Sequence, residues 1–441
     1  MVLAQCKGAT VKKSNLRLTR RDLLKGASAA AAAAIAGPYM ITSSALGAGG
    51  RPAPSNRITM GAIGLGGQGS GDMNDFLGRN QIQVLAVCDV DRGHRDGAKG
   101  AVDKRYGNDA CAATNDFRDI IRRKDIDTVM IATPDHWHAI PVIEAAKAGK
   151  DIHCQKPLSL TVEEGRAMSD AVKRFGRVFQ TGSQQRSDGR FRFACELVRN
   201  GRLGQLQTME VGLPGGSACP PQPPKQPPDG FNYDMWLGQA PYEPYCDHRT
   251  HGEFRWILDY SGGQVTDWGA HHCDIAQWGS GTSMTGPTEV EGKGEFPADG
   301  LWNTATHYRF ECTYPSGVRM IVSNGFPNGV KFVWTDGWVF VDRGRIDAEP
   351  SAILKSVIKP NEVHLYESHD HKGNFLDCIQ TRAETIAPIE NAHRSITIAH
   401  IGNLAMLLGR KLKWDPKTER FVNDAEANRM LSRAMRSPWR L

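Results

Sequence analysis

Five short apolar runs recur between residues 57 and 183, and each is followed by glycine, proline or polar residues. They read ITMGAIGLG, QVLAVCDVD, IDTVMIATP, DIHCQKP and RVFQTGS. The segments between them place apolar residues at helical spacing, as in HAIPVIEAAKAG and TVEEGRAMSDAVKRFG. Apolar strands that alternate with amphipathic helices predict a doubly wound parallel sheet, an N-terminal α/β domain of Rossmann type over residues 57–183.

The pattern changes at about residue 184. Residues 214–230 contain seven prolines, and proline interrupts the hydrogen bonding of helices and central strands. The later runs NTATHYRFECTY, GVRMIVSN and GWVFVDRG are rich in strand-forming residues and separated by turn residues. Residues 184–441 are therefore predicted to form a second α/β domain around a large, mostly antiparallel open sheet. A long helix at about residues 392–410 is expected to pack back on the first domain.

The first 48 residues have the composition of an export signal. The pair Arg20–Arg21 precedes an Ala-rich stretch, and small residues follow near Ala45 and Ala48. This arrangement resembles a twin-arginine signal, so we expect the export machinery of that pathway as a partner and a periplasmic location. The apolar run is too short for a confident membrane span, so stable membrane insertion is not expected. An uncleaved signal that anchors the chain to the membrane stays open as an alternative.

The net charge of +6 comes from this N-terminal segment. Seven of the 54 Lys and Arg residues but one of the 48 acidic residues lie there, so 47 of each sign remain in the rest of the chain. Because no basic excess is left, nucleic acid is not an expected partner. The nine cysteines beyond the signal are dispersed without a CxxC pair, which predicts buried free thiols rather than a disulfide scaffold.

The first apolar run ends in the glycine-rich sequence GLGGQG, which contains Gly64, Gly66, Gly67 and Gly69. Glycines at this spacing allow a tight turn and a close approach of a dinucleotide pyrophosphate to backbone amides. The second run ends with Asp89, whose carboxylate can bind the ribose hydroxyls and would repel a 2′-phosphate. The loop therefore predicts NAD as cofactor.

Residues at the ends of the next strands complete the predicted nucleotide site. NADP stays open because Arg92 follows Asp89 closely. Thr133 and Pro134 end the third run and should lie beside the nicotinamide, because ligands bind at the carboxyl ends of parallel strands. His138 belongs to a following loop that is expected to line the cofactor cleft, although a metal-binding pair with His136 is an alternative. Gln155 and Lys156 end the fourth run at the same edge.

The stretch GGQVTDWGAHHCDIAQW, residues 262–278, concentrates two aspartates and two histidines. On a helix Asp267, His271 and Asp274 share a face, and His272 is rotated by about 100° from His271. Three interpretations are open: a metal site that includes all four residues, a polar helix end, and an acid/base pair. Consecutive histidines diverge on a helix and the spacing is not that of a zinc site, so acid/base chemistry is favoured and no metal is expected.

Taken together, these motifs resemble the Gfo/Idh/MocA family, which includes glucose–fructose oxidoreductase and inositol dehydrogenase. The resemblance rests on GLGGQG, VLAVCDVD, IDTVMIATPDHWHA, QKP and DWGAHHCD, and it looks closest to secreted members. It implies an NAD(P)-dependent oxidoreductase that acts on a secondary alcohol of a sugar, polyol or glycoside, and a homo-oligomer that associates through the second sheet. In the family the tripeptide is usually EKP, so Gln155 replaces a glutamate and removes a negative charge beside Lys156.

The resemblance and the residue chemistry together predict a role for each catalytic residue. Lys156 polarises the carbinol oxygen, Asp267 binds a sugar hydroxyl, and His271, expected to titrate near neutrality, accepts the hydroxyl proton. The tentative substrate contacts are His272, Tyr260 and Trp268. Redox-neutral glycoside cleavage with transiently reduced cofactor is an alternative, and a non-catalytic sugar-binding protein is a weaker one. Export also predicts a tightly bound cofactor that is recycled in place.

Overall fold

The five predicted apolar runs form strands of one parallel sheet in the computed structural model, which describes residues 52–53 and 56–441. The predicted signal at residues 1–48 lies outside the described residues. A short sixth strand, β3, joins the five, and the strands are β1 (Ile58–Ile63), β2 (Ile82–Cys88), β3 (Ala112–Thr114), β4 (Thr128–Ile131), β5 (Asp151–Cys154) and β6 (Phe179–Thr181). Their order is β3-β2-β1-β4-β5-β6. The predicted parallel sheet is confirmed, and its order reverses at β1, where the crevice of such sheets forms.

Five helices connect these strands: α1 (Gly67–Gly78), α2 (Arg92–Tyr106), α3 (Phe117–Ile121), α4 (Ala139–Lys147) and α5 (Val162–Arg174). Both faces of the sheet are covered. In β4, Val129 and Ile131 belong to one apolar cluster, whereas Met130 between them belongs to another with Phe76 of α1. This alternation explains why the strands read as continuous apolar runs rather than alternating ones.

The second sheet has nine strands in the order β13-β12-β11-β7-β10-β9-β8-β14-β15. Neighbours pair antiparallel except β10 and β7, which are parallel, so the prediction of a mostly antiparallel sheet is confirmed. The strands are β7 (Leu206–Gly212), β8 (Glu289–Glu295), β9 (His307–Thr313), β10 (Arg319–Ser323), β11 (Gly329–Trp334), β12 (Gly337–Val341), β13 (Ile346–Glu349), β14 (Leu412–Asp415) and β15 (Arg420–Phe421). The Pro-rich stretch forms no helix or strand.

Seven helices belong to this second part: α6 (Gly189–Arg199), α7 (Tyr233–Leu237), α8 (Gln264–Asp267), α9 (Gly269–Ser280), α10 (His371–Thr381), α11 (Ile389–Leu408) and α12 (Ala425–Arg429). Four 3-10 helices span Asp135–Trp137, Gln184–Ser187, His251–Trp256 and Ser351–Lys355. None of the helices in the described part of the chain combines the length and the apolar character that a membrane span needs. All nine cysteines in the described residues are free and buried.

Helix α11 contacts α5 of the first domain as well as α9 and β8 of the second. It begins after Pro388 and ends at Gly409, whose φ of 63° is left-handed. These two residues shift the helix toward the N-terminus relative to the predicted 392–410, because proline favours a helix start and glycine a left-handed end.

A buried ion pair ties three of these elements together. Arg186, in the 3-10 helix after β6, donates to both carboxylate oxygens of Asp274 in α9 at 2.6 and 2.7 Å. The hydroxyl of Ser395 in α11 donates to the same carboxylate at 2.7 Å. Both charged side chains are 3% exposed, so Asp274 serves the packing of α9 against its neighbours.

We expect Asp274→Asn to lower the free energy of unfolding by about 3–5 kcal/mol, because it leaves the Arg186 guanidinium buried without a counter-charge. Urea denaturation measures the change. Asp170→Asn is the matched control, since Asp170 is 66% exposed where it pairs with Arg166, and an exposed pair contributes at most about 1 kcal/mol. Equal effects of the two substitutions would contradict the structural role of Asp274.

Candidate active site

A cavity of about 360 Å³ lies at the carboxyl edge of the parallel sheet. Nine of the ten residues predicted to bind the cofactor line it: Gly64, Gly66, Gly67, Gly69, Asp89, Thr133, Pro134, Gln155 and Lys156. The tenth, His138, does not. The structure therefore brings the ends of β1, β2, β4 and β5 to one place, as expected for a doubly wound sheet.

The glycine-rich loop fits a dinucleotide sterically. A Cβ at Gly69 would lie 1.8 Å from the Gly64 carbonyl oxygen, and Gly64 itself has a φ of +80°. By contrast, a Cβ at Gly67 would meet nothing within 4 Å, and this residue begins helix α1. Open space in front of backbone amides at a helix N-terminus is what a pyrophosphate requires.

Asp89 is held by the same loop. One carboxylate oxygen accepts from the Leu65 backbone N–H at 2.6 Å and the other from that of Asp91 at 2.8 Å. The side chain of Arg92 instead packs near Gly230 and does not line the cavity. The carboxylate that can bind a ribose is thus fixed in place, and the arginine that kept NADP open lies elsewhere.

A segment of the second domain crosses the cavity. Asn232 donates its backbone N–H to the Val90 carbonyl at 2.9 Å, and the Gly230 carbonyl accepts from Arg92 at 3.0 Å. We call residues 230–256 the strap; it contributes Phe231, Met235, Trp236, His251, Gly252, Phe254 and Arg255 to the cavity lining. Sequence reasoning named Trp236, among the aromatic residues after the Pro-rich stretch, as a residue that could stack on a sugar, and it missed the other strap residues that line the cavity.

The two histidines after Pro134 lie inside the protein. The ring nitrogens of His138 lie 2.6 Å from the Pro157 carbonyl oxygen and 2.9 Å from that of Thr133, and the neutral ring donates to one of the two. A ring nitrogen of His136 lies 3.0 Å from the Trp236 carbonyl oxygen. Burial lowers the pKa of each histidine to about 4. His138 therefore positions the ends of β4 and β5 behind the cavity wall, and this placement replaces the predicted cofactor contact.

Lys156 connects the two domains. Its Nζ donates to the Asp267 carboxylate at 2.7 Å, and Arg255 Nε donates to the same oxygen at 3.3 Å. Burial raises the pKa of Asp267, but Lys156 and Arg255 outweigh it and hold the pKa below its usual range. Asp267 is therefore ionised, with two cations on one oxygen.

His271 follows Asp267 by one helical turn and is 3% exposed. Burial, and then the charges of Lys156 and Arg343, lower its pKa well below the usual value. The expectation that His271 titrates near neutrality is wrong, because sequence alone does not show its burial or these cations. The Nδ1 atom has no hydrogen-bond partner among the described residues. With its lowered pKa the imidazole is neutral and is a weaker base than an exposed histidine.

The three tentative substrate residues differ in their surroundings. Tyr260 is fully buried and its hydroxyl accepts from Arg249 at 3.2 Å, so it packs the strap rather than facing the cavity. His272 bonds the Gly212 carbonyl at 2.9 Å. Trp268 is half-buried, interrupts the helix between α8 and α9, and lies 4.6 Å from the Arg343 guanidinium.

The four residues of the alternative metal site are not gathered. Asp274 is bound to Arg186 and Ser395, and His272 is bound to the Gly212 carbonyl in β7. Only Asp267 and His271 lie with Lys156, in accordance with the acid/base interpretation of the segment.

Asp135 is a site residue that sequence reasoning missed. It follows Pro134 and lines the cavity, and its carboxylate accepts from the Ser261 hydroxyl at 2.6 Å. Burial raises its pKa to about 7. Besides the ionised Asp267, the site therefore contains a carboxyl group with a pKa near neutrality, and it follows the end of β4.

Gln155 is fixed beside Lys156 by a buried carboxylate. Its amide donates to Asp72 at 2.6 Å, and the other oxygen of Asp72 pairs with Lys372 at 2.9 Å. A glutamate at position 155 would therefore place a second negative charge directly beside the Asp72 carboxylate. The amide is the neutral partner that this carboxylate requires.

Two family profiles match the chain. Residues 58–183 match the Gfo/Idh/MocA oxidoreductase family, NAD-binding Rossmann fold, and residues 219–441 match its C-terminal alpha/beta domain. Among solved structures, aldose–aldose oxidoreductase from Caulobacter crescentus, complexed with glycerol, aligns with a TM-score of 0.59 at 20% identity, over 81% of this chain and 99% of that one. That likeness supports the fold.

Curated relatives are similar over different lengths. An uncharacterized oxidoreductase, YrbE, from Bacillus subtilis is 24% identical over 75% of this chain and 87% of its own length. A levoglucosan dehydrogenase from Pseudarthrobacter phenanthrenivorans is 43% identical over 21% of this chain and 24% of its own. A glycosyl hydrolase family 109 protein from Shewanella is 30% identical over 34% of this chain and 33% of its own length. With both domains matched, the chain belongs to the Gfo/Idh/MocA oxidoreductase family and carries its NAD-binding Rossmann fold.

Proposed function

We propose that the protein is an NAD-dependent oxidoreductase that acts on a secondary alcohol of a sugar, polyol or glycoside. The observation that carries the proposal is the ion pair of Lys156, which lines the nucleotide cavity, with Asp267. The neutral His271 follows Asp267 by one turn. Inositol and levoglucosan dehydrogenases among the relatives support a carbohydrate substrate. The assembly that we propose is a homo-oligomer formed through the open face of the nine-stranded sheet.

The loop after β1 would hold the pyrophosphate, and Asp89 the adenosine ribose. NAD is preferred over NADP in this proposal, because the fixed carboxylate of Asp89 would face a 2′-phosphate and the Arg92 side chain packs near Gly230. Thr133, Pro134, Gln155 and Lys156 would lie at the nicotinamide end.

When bound, the cofactor supplies the acceptor for the hydride of the carbinol carbon. Lys156 donates a hydrogen bond to the carbinol oxygen and stabilises negative charge that develops there. Asp267 orients a hydroxyl of the sugar ring and keeps the Lys156 ammonium in place. His271, neutral because of its burial, accepts the hydroxyl proton.

Glycoside cleavage without net redox is the second candidate, and the similarity to glycosyl hydrolase family 109 proteins supports it. Both reactions begin with the same oxidation at the same residues. Mass spectrometry of the sugar products, measured together with the absorbance of reduced nicotinamide, separates them: an oxidoreductase forms a keto sugar and leaves its bound cofactor reduced until a second substrate reoxidises it, whereas a glycosidase releases an aglycone with no net reduction. Binding of sugar with neither product would leave the non-catalytic alternative.

Lys156→Ala and His271→Ala should each lower turnover by about two orders of magnitude, the usual contribution of a general acid or base. NAD affinity, measured by titration of protein fluorescence, should be retained, because the glycine loop and Asp89 are unchanged. Lys147→Ala is the control, since Lys147 lies on the surface and pairs with Glu144 at 2.9 Å. Near-normal turnover of both active-site variants would refute the catalytic assignment.

Gln155→Glu should destabilise the protein, because the new carboxylate replaces an amide that donates to Asp72 at 2.6 Å. A glutamate beside a buried carboxylate has a raised pKa in the folded state. The unfolded chain then releases its proton at lower pH, so the loss in unfolding free energy should be small near pH 4 and grow as pH rises toward 8.

The double variant Asp72→Asn/Gln155→Glu tests the cause, because it exchanges the positions of carboxylate and amide while it keeps the charge. Urea denaturation of all four proteins at pH 5 and pH 8 gives the coupling between the two sites. Recovery of most of the lost stability in the double variant is expected. No recovery, or a loss that does not depend on pH, would show that size rather than charge excludes glutamate.

We further propose that the mature protein works outside the inner membrane with a retained cofactor. A twin-arginine signal would export a folded chain, so nucleotide loaded in the cytoplasm could travel inside it. The strap supports this proposal, because its residues Phe231 and Trp236 line the same cavity as the glycine loop. Reoxidation would then occur in place, by a second substrate or by return of the hydride to the sugar.

Protein expressed with its signal and isolated from the periplasm should contain close to one nucleotide per chain, quantified after denaturation. Phe231→Ala should release nucleotide faster during gel filtration, because it opens the cavity. Tyr242→Ala, in the same segment but 66% exposed, is the control. Empty protein with millimolar affinity for added NAD, or retention of the chain in the cytoplasm, would contradict this proposal.

A further inference from the structure

Positively charged groups outnumber negative ones at the catalytic end of the site. Lys156 and Arg255 share one oxygen of Asp267, and Arg343 lies beside the same segment. Asp267 is ionised, whereas burial raises the pKa of Asp135 to about 7, so it carries only part of a charge at neutral pH. The oxidised nicotinamide would add a further positive charge.

Arg343 is the cation without a carboxylate partner. It follows β12, its guanidinium lies 4.6 Å from the centre of the Trp268 ring, and no described carboxylate forms an ion pair with it. Two residues further on, Arg345 pairs with Asp342 and Asp347 at 3.7 and 3.1 Å. The acidic groups next to Arg343 in sequence are therefore used by its neighbour.

The position of Arg343 connects it to the catalytic segment. Trp268, the residue that it contacts, directly follows Asp267, and Arg343 contributes to the lowered pKa of His271 after burial and Lys156. Arg343 does not line the nucleotide cavity. Its side chain is exposed, so a charged group of the substrate that is distant from the reacting carbon can reach it.

We propose that the substrate is a sugar acid, and that its carboxylate binds the guanidinium of Arg343. This inference rests on the proposed oxidoreductase function. Guanidinium groups match carboxylates with two parallel hydrogen bonds, and the contact with Trp268 holds the group in place before binding. A uronate, in which the carboxylate is separated by the ring from the secondary hydroxyls, has the required arrangement.

Because Arg343 contacts a distant group, its contribution is expected in substrate affinity and KM rather than in kcat. A charge-assisted hydrogen bond of this kind corresponds to about a ten- to hundredfold change in affinity. The affinity should also fall as salt is raised, since the guanidinium is partly exposed to solvent.

The experiment compares uronates of gluco, galacto and manno configuration with their uronamides, which have the same shape without the charge. Calorimetric titration of the NAD-loaded full chain measures binding, and steady-state assays give KM and kcat. At least one uronate should bind ten times or more tightly than its amide. Arg343→Gln should abolish this difference with kcat nearly unchanged, Arg343→Lys should retain part of it, and the control Arg345→Gln should leave it intact.

Equal binding of uronate and uronamide, preference for the parent neutral sugars, or an unaltered difference in Arg343→Gln would overturn the inference. Arg343→Lys keeps the test valid if the Gln variant does not fold, because it preserves the charge but loses the paired hydrogen bonds. Failure of the proposed function has a different result: the unsubstituted protein would then bind no NAD, or would reduce it with no sugar of either charge.

Discussion

The ion pair between Lys156 and Asp267 is the contact on which the arrangement of the site depends. Its side chains are 16% and 12% exposed, and taking two such charges out of water costs several kcal/mol per ion unless each finds a partner. The lysine follows strand β5 of the parallel sheet, and the aspartate is the last residue of the one-turn helix α8 in the second domain. Arg255 of the strap joins them on the same oxygen. The Asp267 carboxylate therefore holds together the carboxyl edge of the parallel sheet, helix α8 and the strap.

The local sequence pattern was sufficient to predict the alternating strands and helices of the parallel sheet and the loop after its first strand. Apolar runs of strand length predicted the parallel sheet, and Gly64, Gly66 and Gly69 predicted the loop after β1, because those features depend on neighbouring residues. The partners across the site were not predictable in this way. Asp135, Arg255 and Arg343 are separated by long stretches of chain, and only the packing of two domains brings them together. The burial of His138 behind the cavity wall is a tertiary feature of the same kind.

The charges and pKa values of the site could be predicted from the sequence even less well than its contacts. The spacing of Asp267 and His271 predicted that they share a helix face, but not that burial and two cations keep the imidazole neutral. Gln155 shows the same limitation. As a departure from the usual EKP tripeptide it suggested a lost charge near Lys156, whereas in space the buried carboxylate of Asp72 supplies a charge at that place. Gln155 departs from the usual tripeptide, but it is complementary to Asp72, a residue 83 positions away.

The surplus of positive charge also connects substrate recognition to proton transfer. Lys156 stabilises an alkoxide on the substrate, and Lys156 and Arg343 both make protonation of His271 unfavourable. The first effect favours release of the alcohol proton, whereas the second opposes its acceptance by the imidazole. On the proposal of an anionic substrate, the bound carboxylate neutralises Arg343 and raises the pKa of His271 toward that of a competent base. Burial and Lys156 lower this pKa more than Arg343 does, so the charge of the substrate alters kcat little and acts mainly on its affinity.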